Sequence, residues 1–139
     1  ELPPLRQAAR DALERGDIAA AQQAYEKSLA EQPGDDAART GLAQVRLLGR
    51  LQGKTLAEIR ERAAENPNDL EAQLEVADLD LSGGHVDDAC NRLLSLFSSV
   101  DADGKTAIRE RLLEHFEVVG NEDVRVQRAR QQLTNLLFA

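Results

Sequence analysis

The stretch GDIAAAQQAYEKSLAEQPGD, residues 16–35, decides the predicted fold. Its start, Gly16-Asp17, is typical of a turn between two helices, because Gly accepts the left-handed backbone after one helix and Asp caps the next. An alanine-rich amphipathic run follows, with the small Ala21 on its inner face. Pro33 then ends the helix, because its ring excludes a preceding helical turn. The stretch therefore predicts one helix with a turn on each side.

The landmarks of this stretch recur along the chain at a fixed spacing. Pro33 and Pro67 are 34 residues apart, and Gly16 and Gly84 are 68 apart, which is twice that distance. A 34-residue period that is built from two helices is typical of the tetratricopeptide repeat. The sequence predicts three such repeats and a C-terminal capping helix pair, near residues 2–35, 36–69, 70–103 and 104–139.

The second repeat departs from the pattern. Arg50 stands where the turn glycine is expected, and Gly53 breaks the chain shortly afterwards. Thr55 and Glu58 have the spacing of a capping box, which predicts that a new helix starts here. The preceding helix is therefore expected to be longer than normal and to reach about residue 52.

The chain after the third repeat no longer follows the period. Its apolar residues predict helices over 104–119 and 123–138. A helical solenoid needs a terminal cap that hides its last apolar face, and this pair is the expected cap. The predicted fold class is all-α: a right-handed tetratricopeptide superhelix of about eight antiparallel helices, in a single domain over residues 1–139.

Composition excludes several classes of partner. The net charge of −8 argues against a nucleic-acid surface, which needs clustered Lys and Arg. We find no signal peptide and no apolar run near the roughly 18 residues of a membrane helix.

The single cysteine cannot form an intramolecular disulfide and fits a reducing compartment, so we expect a cytoplasmic protein. The opening ELPPL has no initiator methionine, so we expect a piece of a longer protein.

Residues that could carry chemistry are few and scattered. No nucleophile–base pair or ligand cluster has workable spacing, so we predict no enzyme activity, no metal and no cofactor. Cys90 lies on an inward helix face and is expected to be a buried, inert thiol. The remaining titratable residues are interpreted as exposed histidines and solvated carboxylates, at His85, His115, Asp78, Asp80, Asp87 and Asp88.

The order of these segments resembles a known family. The strongest segments are AENPNDLEAQLEVADLDL, which ends at Leu81, and the run from Arg111 to Phe138. Together with the degenerate second repeat, they resemble the C-terminal tetratricopeptide region of the chaperedoxins, the YbbN-like thioredoxin co-chaperones of bacteria. The resemblance covers nearly the whole chain, and its strength is the ordered set of segments.

The resemblance implies a protein-binding platform that follows a thioredoxin-like domain absent from this chain. Its implied activity is to hold unfolded client proteins and pass them to the cytoplasmic chaperonin, with the C-terminal helices facing the chaperonin. Cys90 does not correspond to the active-site cysteine of that upstream domain. The residues that match the family's C-terminal segment, and are expected to contact a partner, are Val126, Arg130, Leu133, Leu136, Leu137 and Phe138.

The LTNLLF tail supports a partner-binding end independently of the resemblance. Leu136, Leu137 and Phe138 are adjacent, so they cannot all point into the core. An apolar patch that no later sequence covers indicates a partner or self-association. The opposing interpretation is that the tail packs back on Ile108 and Phe116 as an ordinary cap.

A second candidate surface is the concave groove, the usual ligand surface of such repeats. Outward residues of the first helix in each repeat would line it: Arg6, Arg10, Thr40, Gln44, Leu47, Glu71, Leu74 and Asp78.

Two alternatives to the co-chaperone interpretation stay open. The first is a scaffold in a dedicated assembly, with no chaperone role. The second is a module that dimerises a catalytic domain fused upstream, so that a homodimer forms.

Overall fold

The computed structural model describes residues 3–139, and within them every element of regular secondary structure is a helix. This confirms the predicted all-α class. A short 3-10 helix, Phe97–Ser99, lies between the sixth and seventh α-helices. The α-helices are α1 (Pro4–Glu14), α2 (Ile18–Glu31), α3 (Asp36–Leu51), α4 (Leu56–Glu65), α5 (Leu70–Ser82), α6 (Val86–Leu96), α7 (Ala102–Val119) and α8 (Val124–Leu137).

The helices form two compact units. Unit 1 contains α1 to α3 and ends at Gln52, and unit 2 contains α4 to α8 and begins at Gly53. The boundary therefore falls inside the predicted second repeat, between α3 and α4. The prediction of one domain and the boundaries of the three repeats stay predictions.

The turn that opens the deciding stretch has the expected geometry. Gly16 has a φ of 78°, in the left-handed region that favours glycine. The Asp17 side chain accepts a hydrogen bond from the Ala20 N–H at 3.0 Å and so caps α2. The sequence signal for a helix pair is confirmed here.

The degenerate second repeat also follows its sequence signals. Helix α3 extends to Leu51, and α4 begins after a complete capping box. Thr55 Oγ1 accepts from the Glu58 N–H at 3.1 Å, while Glu58 Oε2 accepts from the Thr55 N–H at 3.3 Å. These two bonds satisfy backbone donors that the first turn of α4 leaves without helical partners.

Small residues let the helices of unit 1 approach one another. Ala12, Ala21 and Val45 form the buried centre, and Ala21 is fully buried. A methyl group at Gly41 would lie 2.4 Å from the ring of Tyr25, so this ring packs directly on the α3 backbone. The hydrophobic contact of α2 with α3 therefore depends on the absence of side-chain volume.

We expect Ala21→Leu to lower the free energy of unfolding by about 1–3 kcal/mol, because the larger side chain overpacks this centre. Urea unfolding followed by circular dichroism measures the change. Ala19→Leu is the matched control, since Ala19 lies exposed on the same helix and its change should stay within about 0.5 kcal/mol. Equal stabilities of the two variants would contradict the assigned inner face of α2.

Unit 2 contains the larger core. Helix α5 packs against α4, α6 and α7, and α8 packs mainly against α6. Ile108 and Phe116 of α7 and Val126 of α8 are fully buried. The two C-terminal helices thus contribute their apolar faces to the core of this unit.

Candidate functional site

The C-terminal end of α8 leaves the core. Val126, Ala129 and Leu133 are at most 3% exposed and form the inner face of the helix. One turn later this face ends: Leu137 is 44% exposed and Phe138 is 85% exposed. Two adjacent large apolar side chains are therefore in contact with solvent.

The opposite end of α8 is held by a charged cap. Asp123 Oδ1 accepts from the Arg125 N–H at 2.8 Å, and both carboxylate oxygens accept from the Arg125 guanidinium. These hydrogen bonds from Arg125 lower the pKa of Asp123 to about 2. The cap fixes the start of the helix whose other end is exposed.

An open cleft of about 380 Å³ lies beside the exposed end of α8. It is bounded by the 3-10 helix, the first turns of α7 and the last turn of α8. Lys105 Nζ lies 5.6 Å from the centroid of the Phe97 ring, within the range of a cation–π contact. We call this feature the C-terminal cleft, and its lining residues are Phe97, Ala102, Lys105, Thr106, Arg109, Leu136, Leu137 and Ala139.

The structure corrects part of the predicted tail surface. Val126 and Leu133 are buried against the helices of unit 2, so they cannot contact a partner directly. The Arg130 guanidinium lies 4.9 Å from the centroid of the Phe116 ring and donates to Asn121 Oδ1 at 2.6 Å. Val126 and Leu133 were expected at the interface because they match the family's C-terminal segment, and such a match does not show which side chains a neighbouring helix covers. Arg130 is exposed and stays a predicted contact. Leu136, Leu137 and Phe138 stay predicted contacts.

The predicted groove residues of unit 1 differ in accessibility. Arg6 Nε lies 3.4 Å from Asp35 Oδ2 in an ion pair. Arg10 and Gln44 are exposed and Thr40 is half-buried. Leu47 is only 5% exposed, so its expected role as a ligand contact is corrected to a core role.

The predicted groove residues of unit 2 need a larger correction. Glu71 is exposed. Leu74 is 3% exposed and Asp78 is fully buried, so neither presents a side chain to a ligand. Both belong to the contact of α5 with α7, which periodicity within one helix could not reveal.

A buried polar cluster joins α5 to α7. Arg111 Nη1 donates to Asp78 Oδ2 at 2.6 Å and to the Leu74 carbonyl at 3.3 Å. His115 Nε2 lies 2.7 Å from Asp78 Oδ1, and His115 is fully buried. The expectation of an exposed His115 is therefore wrong, and the Asp78 carboxylate gives its buried Nε2 a polar partner. His85, by contrast, is exposed as expected.

A second polar cluster lines a cleft of about 680 Å³ along α4, α5 and α6. Asp80, expected to be solvated, is only 5% exposed and accepts from Arg60 Nη2 at 3.1 Å. Arg92 Nη1 donates to Gln73 Oε1, and Gln73 donates to the Ala63 carbonyl. These groups mainly satisfy one another, so the cluster connects three helices.

Cys90 is a buried free thiol, as predicted. Burial, and next the charge of Asp87, raise the pKa of the Cys90 thiol from 9.0 to about 11. Because a thiolate is the reactive form, this environment makes the group inert.

We expect Cys90 in the native chain to resist iodoacetamide at pH 8 and to react fully in urea. Mass spectrometry of the two samples measures the labelled fraction, with the urea sample as the control. Comparable labelling rates in the two samples would contradict the buried position.

The raised pKa of Cys90 also links stability to pH. Because the folded pKa lies above the unfolded value, the contribution of the protonated thiol to stability is complete below pH 9 and is lost as the pH rises towards 11.

The described part of the chain contains no cluster of three or more His, Cys, Asp or Glu side chains that could hold a metal ion. Across residues 3–139, no helix combines the length and the apolar character that crossing a bilayer requires.

The comparison with protein families identifies the repeat. A tetratricopeptide-repeat family model matches residues 49–138, which is more than half of the chain. The chain belongs to the tetratricopeptide-repeat family. The matched segment includes α4 to α8 and every lining residue of the C-terminal cleft except Ala139. Tetratricopeptide repeats are protein-interaction repeats, so the coarse prediction of a protein-binding module is confirmed.

The curated relatives of this tetratricopeptide chain are mycobacterial. The chain is 30% identical over 138 residues to uncharacterized protein Rv1324 of Mycobacterium tuberculosis and to uncharacterized protein Mb1359 of Mycobacterium bovis. The alignment covers 99% of this chain but only 45% of each relative. No solved structure matches the chain.

The tetratricopeptide pattern did not reveal several residues of the C-terminal cleft. The repeat pattern does not distinguish Lys105 and Arg109 from other charged residues of α7. Their spacing of four residues does place the two cations on one face of α7. Only the packed structure shows that this face adjoins the end of α8.

Proposed function

We propose that this tetratricopeptide module is the protein-binding region of a thioredoxin-like co-chaperone and that it docks a partner through the exposed end of α8. The observation that carries the proposal is the exposure of Leu137 and Phe138 beside an open cleft. Val126, Ala129 and Leu133 earlier in α8 are buried, whereas Leu136 is half-buried and Leu137 and Phe138 are exposed.

The energetics of such a pair favour docking. Full burial of a Leu or Phe side chain contributes about 1.5–3 kcal/mol relative to exposure in water. Interfaces concentrate their binding energy in a few large side chains that fill pockets. Leu137 and Phe138 are of this type, and the C-terminal cleft offers a concave surface next to them.

The co-chaperone assignment rests on the resemblance to chaperedoxins. It proposes unfolded client proteins and a bacterial chaperonin as partners, in the cytoplasm, with a thioredoxin-like domain elsewhere in the full protein. The chain spans less than half the length of its curated relatives, which leaves room in them for a further domain. Any redox chemistry would belong to that domain, because Cys90 is buried and inert.

We expect Leu137→Asp with Phe138→Asp to abolish binding to a bacterial chaperonin without loss of helicity. The two carboxylates would replace apolar anchors that lie outside the core, so the fold should tolerate them. Co-elution with purified chaperonin in size-exclusion chromatography measures binding. Val124→Asp is the matched control, because Val124 is 64% exposed at the opposite end of the same helix.

Two results would contradict the proposal. If the double variant still co-elutes with the chaperonin, Leu137 and Phe138 are not part of the interface. If the unmodified chain does not co-elute, the chaperonin is not its partner. Truncation after Asn121 is a poorer test, because it also deletes Val126 and Leu133 from the core of unit 2.

A dimerisation module is the second candidate function. The same exposed pair favours it, since an apolar patch on a closed fold also suits self-association. Sedimentation equilibrium separates the two functions: a mass that doubles with concentration in the unmodified chain, but not in the double variant, supports the dimer.

A further inference from the structure

We propose that the C-terminal cleft selects an acidic, apolar segment of its partner, with the apolar side chains in the cleft and a carboxylate against Lys105 and Arg109. This inference rests on the proposed function, since it names the chemistry of the partner at the same surface. The supporting observation is that the side chains of Lys105 and Arg109 form no ion pair, whereas other cations of unit 2 do.

The cations of the cleft lack the ion pairs that other cations of unit 2 form. Arg60 and Arg111 each lie within 3.1 Å of a buried carboxylate oxygen. Within residues 3–139, the Arg109 side chain makes no hydrogen bond or ion pair, and the polar interaction of the Lys105 side chain is the cation–π contact with the Phe97 ring. Both cations line the cleft, so they are available to a ligand.

Acidic residues outnumber basic ones in this chain, 25 to 17, yet no carboxylate pairs with Lys105 or Arg109 within residues 3–139. The acids near them on α7 are engaged or lie outside the cleft lining: Asp101 Oδ1 accepts from the Gly104 N–H at 2.8 Å, and Asp103 and Glu110 do not line the cleft. The N-terminal end of α7 also contributes the positive end of its helix dipole, which Asp101 partly offsets. The cleft therefore combines an apolar wall with a positive rim.

The apolar wall defines the other half of the ligand. Leu136 and Leu137 of α8 face the same cleft as Phe97 and Ala102. An apolar side chain placed there would be shielded from water on two sides, while a neighbouring Glu or Asp would reach the rim. A partner helix with Leu and Glu on one face has this arrangement.

A set of three labelled peptides tests the selectivity. Each is an alanine-based helix of roughly 14 residues with two leucines one turn apart. Two flanking positions carry Glu in the first peptide, Gln in the second and Lys in the third. Fluorescence anisotropy with the full chain gives the three dissociation constants at low and at high salt.

We expect the Glu peptide to bind about three- to tenfold more tightly than the Gln peptide at low salt, because two exposed ion pairs form. High salt should reduce this preference, since the rim charges are screened. Lys105→Gln with Arg109→Gln should abolish it. Arg46→Gln is the matched control and should retain it, because Arg46 is an exposed arginine of unit 1.

Equal affinities of the Glu and Gln peptides, a preference for the Lys peptide, or binding by none of the three would each overturn the inference. A mass that doubles with concentration, and that the paired glutamine variant prevents, would overturn it as well, because the occupant would then be a second copy. The proposed function is judged separately by the chaperonin co-elution of the Leu137→Asp, Phe138→Asp variant, so the two can fail independently.

Discussion

Replacing Asp78 by Ala should lower the free energy of unfolding by about 3–5 kcal/mol, because removing one partner of a buried ion pair leaves the other charge without compensation. Asp78 is fully buried, and it accepts from Arg111 at 2.6 Å and lies 2.7 Å from His115. Both partners lie on α7, so the substitution would loosen the contact of α5 with α7.

Urea unfolding of the variant and of the unmodified chain measures this loss. Glu110→Ala is the control on α7, because Glu110 is exposed and its removal should change stability by no more than about 0.5 kcal/mol. Asp78→Asn should lose less than Asp78→Ala, since the amide can still accept a hydrogen bond from Arg111. If Asp78→Ala lowers the free energy of unfolding by less than about 1 kcal/mol, the buried polar cluster does not stabilise the contact of α5 with α7.

Phe116→Ala should destabilise the chain to a similar extent, by about 3–5 kcal/mol, because it removes a large buried side chain and leaves a cavity. Phe116 is fully buried on α7. Its ring also supports the Arg130 guanidinium of α8 at 4.9 Å, so the substitution would remove a contact between the two C-terminal helices.

Phe138→Ala is a matched control with the same change of side chain. Phe138 is 85% exposed, so we expect a stability change within about 0.5 kcal/mol together with a loss of partner binding. Thermal unfolding and chaperonin co-elution of both variants provide the comparison. Similar losses of stability in the two variants would contradict the assignment of Phe116 to the core and Phe138 to a docking surface.

Under the proposed function, α7 and α8 contribute to stability through Phe116 and to partner binding through Phe138. Helix α8 packs mainly against α6 and buries Val126, Ala129 and Leu133, whereas Leu137 and Phe138 beyond this buried face are exposed. A cap that ended at Leu133 would complete the core without offering an exposed apolar end. Leu136 in the additional turn is half-buried, whereas Phe138 is 85% exposed.

The helices and their ends follow from the sequence because their causes are local. Gly16 and Asp17 form a turn through their own backbone and side-chain chemistry, and Thr55 and Glu58 cap α4 through atoms three residues apart. The predicted helices 104–119 and 123–138 are found as Ala102–Val119 and Val124–Leu137. The spacing of 34 residues indicated the tetratricopeptide repeat before any tertiary contact was known.

The sequence did not reveal which polar residues are buried or which apolar residues are exposed. Asp78 and His115 are 37 positions apart, and each has charged residues close to it on its own helix, yet they form one buried pair. Phe138 follows Leu133 by little more than one turn, yet one is exposed and the other is in the core. Helical periodicity fixes which residues share a face. The tertiary packing of α5, α6, α7 and α8 decides which faces are buried by a neighbouring helix and at which residue of a helix that burial stops.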